Sequence, residues 1–442
     1  MKVLFLHPPS PFLLDERAIA PLGVLQIAAC MEQRGWEVDV LDLAGNLNYV
    51  QSTVEQLSKT NYDAVGITTT TQQTYKIPQL LDAIRKHGKY HIVAGGAGPT
   101  TDPTSYVKLG FDKVVRNEGE YAWNAWEKDG PQIITSPLIH NLDELPFPSR
   151  GLVDLKNYTF YLKDRAGKIY KPTTHVVSTR GCPFGCNFCS GRELEYYRKY
   201  REFSPKRIVA EMIDIANKFK ITAFTDYADE VNIRKERLLE FCKIVKEYDF
   251  KLRGFIVCRL FDEETAKAIS DAGFIEVCAG VESADNEILL RNNIRKTTAE
   301  TSLHACKLAQ DYGIRFKSFT MLGLPGETEK SAYKLRDWLL NAKPDDYDIS
   351  VFLPMPGGPI YEHPERFTDF TFDKLDFTKE LAFYKGVPGE YKSYVTPEGM
   401  NRERLVQLRD EIDYEVREKL GYTQLKRKDK QEQAYDHSMG QR

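Results

Sequence analysis

Three cysteines stand within eight residues near the middle of the chain: Cys182, Cys186 and Cys189. Their spacing is Cys-x3-Cys-x2-Cys, and Phe188 directly precedes the third cysteine. Soft thiolates select iron–sulfur clusters or zinc over hard cations. Because a structural zinc site takes four protein ligands, three cysteines predict a metal or iron–sulfur centre with one position open for chemistry. A chance grouping, or a disulfide pair with one cysteine left over, is the alternative.

The composition is that of an ordinary globular protein. The 442 residues suggest two or three domains, because a single core rarely grows beyond roughly 250–300 residues. Hydrophobic residues make up 42% and charged residues 28%, and 61 basic against 64 acidic side chains give a formal net charge of −3. This near balance argues against a dedicated nucleic-acid binder. No apolar run approaches the ~20 residues of a membrane span.

The N-terminus and the remaining cysteines indicate a cytoplasmic protein. The first residues, Met-Lys-Val-Leu-Phe-Leu-His, form too short an apolar stretch for a signal peptide and predict a buried first strand. Five further cysteines are scattered singly in apolar surroundings, which predicts buried free thiols in a reducing cytoplasm. These are Cys30, Cys242, Cys258, Cys278 and Cys306.

Residues 1–140 contain a second group of candidate binding residues, at the expected ends of their strands. Short β-branched runs alternate there with helical stretches, which predicts an α/β domain with a doubly wound parallel sheet. In open α/β sheets ligands lie at the carboxyl ends of the strands, and glycines there let a backbone approach a bulky ligand. The segments expected at those ends are His7 with the prolines after it, and residues 68–71, 95–98 and 117–120.

A second α/β series begins near His175 and delivers the cysteine loop. The number of strand–helix repeats predicts a full or partial TIM-like parallel barrel. The stretch 131–150 is rich in prolines and predicts an extended connection. The expected divisions are a linker at 141–173, the barrel at 174–365, a mostly helical region at 366–424 and a polar, disordered tail at 425–442.

The cysteine motif, on a strand-to-helix loop that opens a β/α series, resembles that of the radical S-adenosylmethionine (SAM) superfamily. Residues 279–283 (Ala-Gly-Val-Glu-Ser) match the strand-end segment that contacts the adenosyl ligand in that family. Residues 320–328 match its later Gly-Leu-Pro-Gly-Glu-Thr segment. Residues 353–361 resemble the Pro-x-Pro-Gly-Thr-Pro-x-Tyr end of the barrel, with Gly358 in place of the usual threonine.

The first 140 residues resemble the cobalamin-binding domain that precedes the barrel in one large subfamily. The matching pieces are residues 21–23, 63–68, 93–96 and 115–120. The Asp-x-His-x-x-Gly motif, whose histidine coordinates cobalt from below in many cobalamin proteins, is absent, as it often is in cobalamin-dependent radical enzymes. This departure leaves the lower face of cobalt unassigned, with Thr70, Thr71 and Gln72 as loop candidates.

The resemblance implies a 4Fe–4S cluster held by the three cysteines, with SAM on the open iron and cobalamin on the N-terminal sheet. Glu282 and Ser283 would bind the methionyl or ribose portion of SAM, and Arg259 could pair with its carboxylate. The remaining residues expected to bind cofactors are Phe188, Gly280, Lys317, Gly323, Leu324 and Pro325 on the barrel side and His7, Gly66, Thr68, Thr69, Gly95, Gly96, Glu118, Gly119 and Glu120 on the cobalamin side.

The implied function is methylation of an unactivated carbon through a 5′-deoxyadenosyl radical and methylcobalamin. An external one-electron reductant of the flavodoxin or ferredoxin type and a small-molecule or biosynthetic-intermediate substrate are the implied partners. A radical cyclase, rearrangement or oxidation enzyme on the same scaffold is one alternative, and a non-catalytic iron–sulfur or zinc module is another. A methylthiotransferase fits less well, because only Cys30 precedes residue 182 and those enzymes carry a second three-cysteine cluster upstream.

Overall fold

The structure is a computed structural model that describes residues 1–10, 15–384 and 386–424. It divides into two compact units. The first contains Met1–Tyr158 with Leu375–Ala382, and the second contains Thr159–Lys374 with the described residues from Phe383 onward. Among the described residues, no helix has both the length and the apolar character needed to cross a membrane.

The first unit is built on a six-stranded, wholly parallel sheet. Its strand order is β2-β1-β3-β4-β5-β6, so the direction in which strands are added reverses between β1 and β3. Ligands bind at such a switch point in doubly wound sheets. The strands are β1 (Lys2–His7), β2 (Glu37–Asp42), β3 (Ala64–Thr68), β4 (His91–Gly95), β5 (Lys113–Arg116) and β6 (Ile133–Thr135).

Alternation along β1 distributes the apolar side chains of the first unit over both faces of the sheet. Leu4 and Leu6 enter one buried cluster, while Val3 and Phe5 enter another. Because successive side chains of a strand point to opposite faces, β1 is buried on both sides, as a central parallel strand must be. The helices of this unit are α1 (Leu22–Gln33), α2 (Tyr49–Lys59), α3 (Ile77–His87), α4 (Ala97–Thr101) and α5 (Pro103–Leu109).

The second unit contains another six-stranded parallel sheet, whose neighbours follow chain order. Among the described residues its first and last strands do not pair with each other, so the sheet forms a partial barrel. The strands are β7 (Thr173–Val176), β8 (Ala223–Asp226), β9 (Lys251–Ile256), β10 (Phe274–Glu282), β11 (Arg315–Leu322) and β12 (Asp346–Val351).

Helices cover the outside of this second sheet and one of its edges. Arg409, on the last helix, donates from Nε to the carbonyl of Ile349 at 2.9 Å, which satisfies an acceptor on the edge strand β12. The helices of at least six residues are α6 (Pro205–Phe219), α7 (Lys235–Val245), α8 (Glu263–Asp271), α9 (Asn286–Arg291), α10 (Ala299–Asp311), α11 (Glu329–Ala342) and α12 (Arg402–Leu420).

Two segments differ from the sequence prediction. The stretch 131–150, expected to be an extended connection, contains β6, which pairs with β5. The region 366–424 is helical only at its end, in α12; a short antiparallel pair, Phe370–Phe372 with Val395–Pro397, precedes it. Strand β6 and the strand Phe370–Phe372 each have only three residues. The alternation of apolar and polar side chains over three residues is too short to distinguish a strand from a loop. The tail at 425–442 lies outside the described residues.

Candidate functional site

The cysteine loop follows β7, and its two ends lie close together because Thr179–Arg180 pairs with Arg201–Glu202. Gly181 has a φ of +86°, and a Cβ there would lie 2.6 Å from the carbonyl oxygen of Lys199 and 2.7 Å from that of Tyr197. Cys182 donates its amide to the same Tyr197 carbonyl at 2.9 Å. Only glycine fits this position, because any side chain would collide with the carbonyl oxygens of Tyr197 and Lys199.

Backbone hydrogen bonds tie the loop to two other segments of the second unit. The Asn187 amide donates to the Asn292 carbonyl at 2.9 Å, and Asn293 Nδ2 donates to the Gly185 carbonyl at 2.7 Å. On the other side, the Glu193 amide donates to the Gly357 carbonyl at 3.0 Å. The backbone of the loop is therefore anchored to the segment after α9 and to the segment after β12 by hydrogen bonds within the protein.

All three thiols are free: Cys186 is buried, and Cys182 and Cys189 are half-buried. Burial raises the pKa of Cys182 to about 11 and that of Cys186 to about 12, and it also raises the pKa of Cys189. Within the described residues, no three Cys, His, Asp or Glu side chains converge on a position for one metal ion. A cubane cluster bonds each cysteine through a different iron atom, so its ligands need not converge on one point. Three free, soft donors on one anchored loop fit such a cluster.

A charged frame surrounds the loop. Lys296 Nζ lies 3.0 Å from Glu230 Oε1 and 3.4 Å from Glu282 Oε1. Asp229 accepts a hydrogen bond from the Tyr197 hydroxyl. Burial raises the pKa of each of the three carboxyl groups, while the Lys296 ammonium opposes that rise. The site therefore gathers three buried or half-buried acidic groups and one half-buried cation beside the thiols.

The Ala-Gly-Val-Glu-Ser segment forms the carboxyl end of β10 and shapes this frame. Glu282 has a φ of +62°, a left-handed conformation that non-glycine residues adopt rarely and that clusters at functional sites. A Cβ on Gly280 would lie 2.2 Å from Glu282 Oε1 and 2.9 Å from Lys296 Nζ. Gly280 thus makes room for the Glu282 carboxylate to fold back over the strand. Ser283 is buried, and its hydroxyl accepts from the Asp285 amide at 3.1 Å.

The Gly-Leu-Pro-Gly-Glu segment contacts Asn292, the residue that binds the cysteine loop. Gly323 has a φ of +95°, and Leu324 is fully buried. The Pro325 carbonyl accepts from Asn292 Nδ2 at 2.9 Å, while the Asn292 carbonyl holds the Asn187 amide of the cysteine loop. This turn therefore reaches the cysteine loop through Asn292. Direct contact of its three predicted residues with a cofactor stays a prediction.

Three other predicted residues of the second unit have different surroundings. Arg259 is exposed and donates from Nη1 to the Arg295 carbonyl at 3.0 Å. Lys317 occupies the third position of β11 rather than its carboxyl end, and its buried Nζ lies 3.1 Å from Asp346 Oδ2 and 3.0 Å from Asp348 Oδ2. Phe188 is half-buried within the cysteine loop. Their roles toward a cofactor stay predictions.

In the first unit, the carboxyl ends of β3 and β4 form a compact edge. Gly96 has a φ of +103°, and a Cβ there would lie 2.7 Å from the Thr69 carbonyl oxygen and 2.9 Å from Thr68 Oγ1. Thr69 Oγ1 hydrogen-bonds the buried Tyr106 hydroxyl at 2.7 Å. At Gly95, by contrast, a Cβ would meet nothing within 4 Å. The edge therefore combines a tightly packed turn with open space at one glycine, which suits the approach of a bulky ligand.

His7 connects this edge to the end of β2. Its Nδ1 lies 2.8 Å from Asp42 Oδ1, and Asp42 Oδ2 accepts from the Tyr158 hydroxyl at 2.5 Å. Burial favours the neutral Asp42, but these hydrogen bonds outweigh it and hold the Asp42 pKa below its ordinary value. An ionised carboxylate only accepts, so His7 Nδ1 carries the proton and Nε2 accepts from Gln73 Nε2 at 3.2 Å. Both ring nitrogens of His7 are thus engaged within the protein.

Gln72 and Gln73 have contrasting environments in the segment after β3. Gln73 is fully used: Oε1 accepts from the Thr70 amide and Nε2 donates to the Pro8 carbonyl, both at 2.8 Å. Gln72 is 3% exposed; its Oε1 accepts from the Ala382 amide at 3.4 Å, but its buried Nε2 has no hydrogen-bond partner. An unsatisfied buried donor at the carboxyl edge of a sheet fits a site whose ligand carries acceptor oxygens.

The remaining predicted residues of the first unit lie in two places. Glu118 is buried, and its Oε2 accepts from the Ile139 amide at 2.8 Å; Glu120 is buried as well. A Cβ on Gly119 would lie 2.9 Å from the Ile27 side chain. Gly66 sits inside β3, where a Cβ would lie 2.4 Å from the Phe5 ring. Gly66 is therefore required by core packing, and its contact with a cofactor stays a prediction.

Sequence reasoning missed Lys296, which stands outside the matched motifs. It follows the short helix α9, and nothing in the periodicity of that segment indicates that its side chain turns inward. The Asn292-Asn293 pair before it was missed for the same reason. A polar pair immediately after a six-residue helix is an ordinary helix end in sequence, and only the tertiary contacts reveal that both residues hold the cysteine loop.

Comparison with known protein families agrees with this geometry. Residues 176–339, which contain the cysteine loop and most of the partial barrel, match the radical SAM superfamily. This match identifies the class of that segment: it is a radical SAM domain, the class that uses a 4Fe–4S cluster and SAM. Residues 16–126, which cover most of the first sheet, match the B12 binding domain. The chain therefore carries both a radical SAM domain and a B12 binding domain.

Relatives resemble the chain over most of its length. An uncharacterised methyltransferase from Pyrococcus horikoshii is 26% identical over 399 residues, covering 82% of this chain and 83% of that protein. The anaerobic magnesium-protoporphyrin IX monomethyl ester cyclase of Rubrivivax gelatinosus is 26% identical over 424 residues, covering 86% and 73%. Among solved structures, the chain shares its fold with the radical SAM methyltransferase TsrM from Kitasatospora setae, whose structure contains cobalamin and a [4Fe-4S] cluster. The TM-score is 0.67 at 18% sequence identity, and the match covers 85% of this chain and 81% of that one.

Proposed function

We propose that this protein methylates an unactivated carbon of a small-molecule substrate as a cobalamin-dependent radical SAM enzyme. The observation that carries the proposal is the presence, on one chain, of an anchored three-thiol loop and of a sheet edge with a buried, unsatisfied amide donor. When bound, the cluster and SAM supply a hydrogen-abstracting radical, and methylcobalamin supplies the methyl group. Relatives named as methyltransferases support the same reading.

The second unit contributes cluster placement and an acidic frame. The three cysteines hold the cluster on a loop whose position is set by Asn292 and Gly357. The half-buried Phe184 and Phe188 flank the thiols and limit the access of water. Glu282, folded back over Gly280, presents carboxylate oxygens that accept from the hydroxyl or amino groups of SAM.

The first unit contributes the corrinoid site. Thr68, Gly95 and Gly96 form the edge that the flat macrocycle approaches, and Gln72 Nε2 is free to donate to one of its acceptor oxygens. Of the three candidates for the lower face of cobalt, Thr70 is exposed, Thr71 is half-buried and Gln72 is buried. The unused Gln72 Nε2 is a hydrogen-bond donor without a lone pair for cobalt, so it suits an acceptor oxygen of the corrinoid and leaves the lower face unassigned.

The cluster requires an electron from outside the chain. We assign this role to a one-electron donor of the flavodoxin or ferredoxin type, because radical SAM enzymes need a reductant of low potential. No disulfide joins any of the eight cysteines, all of which lie among the described residues, and this supports a reducing cytoplasm.

A radical cyclase is the second candidate, and one comparison favours it. The Rubrivivax gelatinosus cyclase matches the chain over 86% of its length, at the same identity as the Pyrococcus horikoshii relative. A cyclase would use the same cluster loop but would transfer no methyl group.

The test uses the full chain reconstituted anaerobically with iron, sulfide and hydroxocobalamin, a strong reductant, and SAM labelled at its methyl carbon. A methylase is expected to form 5′-deoxyadenosine and also to move the label onto cobalamin with release of S-adenosylhomocysteine, even before its substrate is known. The Cys186→Ala variant should lose the 5′-deoxyadenosine. Formation of 5′-deoxyadenosine with no label on cobalamin would favour the cyclase, and SAM left uncleaved would overturn both.

A further inference from the structure

Lys296 is a half-buried cation of the cysteine-loop region, and the proposed methylase function by itself gives it no role. Its side chain is 15% exposed, and its ammonium pairs with Glu230 at 3.0 Å and with Glu282 at 3.4 Å. Both carboxylates are on residues that are 5% exposed. A lysine withdrawn from solvent is retained only when its charge is compensated, so this ion-paired group is a built feature of the site.

The charges around the loop do not cancel. Asp229, Glu230 and Glu282 are three acidic groups against the one ammonium of Lys296. Arg192 is a second cation near the loop; it is half-buried, like Lys296, and donates to the Cys182 carbonyl at 2.8 Å. Lys296 differs in pairing with two buried carboxylates, those of Glu230 and Glu282.

Contacts place Lys296 beside the cysteine loop. Asn293, three residues before Lys296, donates from Nδ2 to the Gly185 carbonyl at 2.7 Å. Glu230, which pairs with Lys296, follows Asp229. Asp229 accepts from the Tyr197 hydroxyl, and the Tyr197 carbonyl accepts the Cys182 amide. A cation in this position stabilises negative charge on a cluster held by the three thiols, through the Coulomb interaction. The potential of an iron–sulfur cluster is set partly by the net charge around it.

We propose that Lys296 is a positioning residue that raises the reduction potential of the cluster, because its ammonium stabilises the negative charge added on reduction. This inference rests on the cluster-binding part of the proposed function. Glu230 and Glu282 hold the ammonium in place and prevent it from turning to solvent. Gly280 is part of the same device, since a side chain there would collide with both Glu282 Oε1 and Lys296 Nζ.

The test is a redox titration of the full chain reconstituted with iron and sulfide, followed by electron paramagnetic resonance of the reduced cluster. Lys296→Met keeps the length of the side chain and removes its charge. We expect its cluster to be about tenfold harder to reduce, which is about 59 mV more negative for a one-electron couple. Lys296→Arg should stay close to the wild type. Lys296→Gln, which removes the charge but can still donate hydrogen bonds to Glu230 and Glu282, should shift the potential in the same direction as Lys296→Met.

Lys334 provides a matched control. Its ammonium pairs with Asp285 at 2.7 Å, but its side chain is 44% exposed, so Lys334→Met should leave the potential unchanged. A Lys296→Met protein whose cluster titrates like the wild type would overturn the inference. If that variant assembles no cluster, Lys296→Gln decides, because an unchanged potential there also overturns the inference. A wild-type chain that assembles no cluster would instead contradict the proposed function.

Discussion

At the scale of single residues, the site depends on contacts that its motifs do not contain. Gly280 belongs to the Ala-Gly-Val-Glu-Ser segment, and Gly181 directly precedes the first cysteine of the motif. The structure shows why each must be glycine: a side chain at Gly280 would collide with the Glu282 carboxylate, and one at Gly181 would collide with two carbonyl oxygens. Gly358, which departs from the resembled motif, also has close neighbours. A Cβ there would lie 3.2 Å from the Cys189 carbonyl oxygen and 3.3 Å from that of Met355. Glycine at 358 therefore fits the position of the third cysteine.

Replacing Gly358 tests this reading. Gly358→Ala should displace the Cys189 backbone, because backbone atoms cannot rotate away as a side-chain end can. We expect a loss of roughly 1–3 kcal/mol in the free energy of unfolding, as for other overpacked sites, and less iron retained after reconstitution. Thermal unfolding and iron analysis measure the two effects.

Gly23→Ala is the matched control, since a Cβ at Gly23, in helix α1, would meet nothing within 4 Å. Alanine also favours a helix over glycine, so this variant should be neutral or slightly stabilised and should keep its iron. Full iron retention in Gly358→Ala, at unchanged stability, would contradict the contact.

At the scale of elements, the Gly-Leu-Pro-Gly-Glu turn ends β11 and begins α11. Glu327 fastens it: the carboxyl group accepts from the Gly323 amide at 3.2 Å and from the Ser331 hydroxyl one turn into the helix. Glu327 is 1% exposed, and burial raises its pKa from 4.5 to about 7. The turn therefore holds a carboxyl group that stays protonated over much of the acidic range.

This shift predicts how stability depends on pH. Between about pH 4.5 and pH 7 the folded protein keeps the proton on Glu327 while the unfolded chain releases it. Stability contributed by this group is therefore full below pH 4.5 and falls as pH rises toward 7. Glu327→Gln, which cannot ionise, should flatten that part of the profile, as measured by the thermal midpoint across the range.

Ser331→Ala gives the complementary control. The Ser331 hydrogen bond lowers the Glu327 pKa of the folded protein, so its removal should leave the onset of the decline near pH 4.5 and extend its upper end to higher pH. Identical pH profiles for the wild type and Glu327→Gln would show that Glu327 does not titrate in this window.

At the scale of the whole molecule, the residues proposed for the two cofactors fall into different compact units. The thiol loop, Lys296 and Asn292 are in one unit, and the glycine edge, Gln72 and Tyr106 are in the other. The segment Leu375–Ala382 returns to the first unit, where the Ala382 amide donates to Gln72. The binding of each cofactor should therefore be separable from the binding of the other.

Independent loading is the corresponding prediction. Cys182→Ala should lose the cluster and retain cobalamin, read from the optical spectrum after reconstitution and desalting. Gly96→Val should lose cobalamin and retain the cluster, because its Cβ would press on the Thr69 carbonyl at a φ of +103°.

Gly110→Ala is the control that distinguishes the effect of backbone strain in Gly96→Val from an effect on the cobalamin edge. Gly110 has a φ of +101°, but a Cβ there would meet nothing within 4 Å, so its alanine variant carries similar strain away from the edge. Such strain costs roughly 1–2 kcal/mol and should leave both cofactors bound. Loss of cobalamin in Cys182→Ala would contradict separate sites.

The sequence alone predicted the doubly wound sheet, the parallel barrel series and the three cysteines. These features depend on local periodicity and on the spacing of a few residues, which the linear chain records directly. It also identified the glycine-rich strand ends, because strand ends are where α/β sheets bind ligands. It could not distinguish Gly66, which is required by the Phe5 ring, from Gly95, which faces open space.

Tertiary structure decided which polar residues meet at each site. Lys296 and Glu230 come from two separate loops and Glu282 from the end of strand β10, and Gln72 accepts from Ala382, 310 residues further along the chain. Lys317 was expected to bind a cofactor, and its side chain pairs with two aspartates within the sheet. Such meetings depend on long-range packing, and no local pattern encodes them. The cysteines were therefore evident from the sequence, while their electrostatic surroundings became evident only in the folded chain.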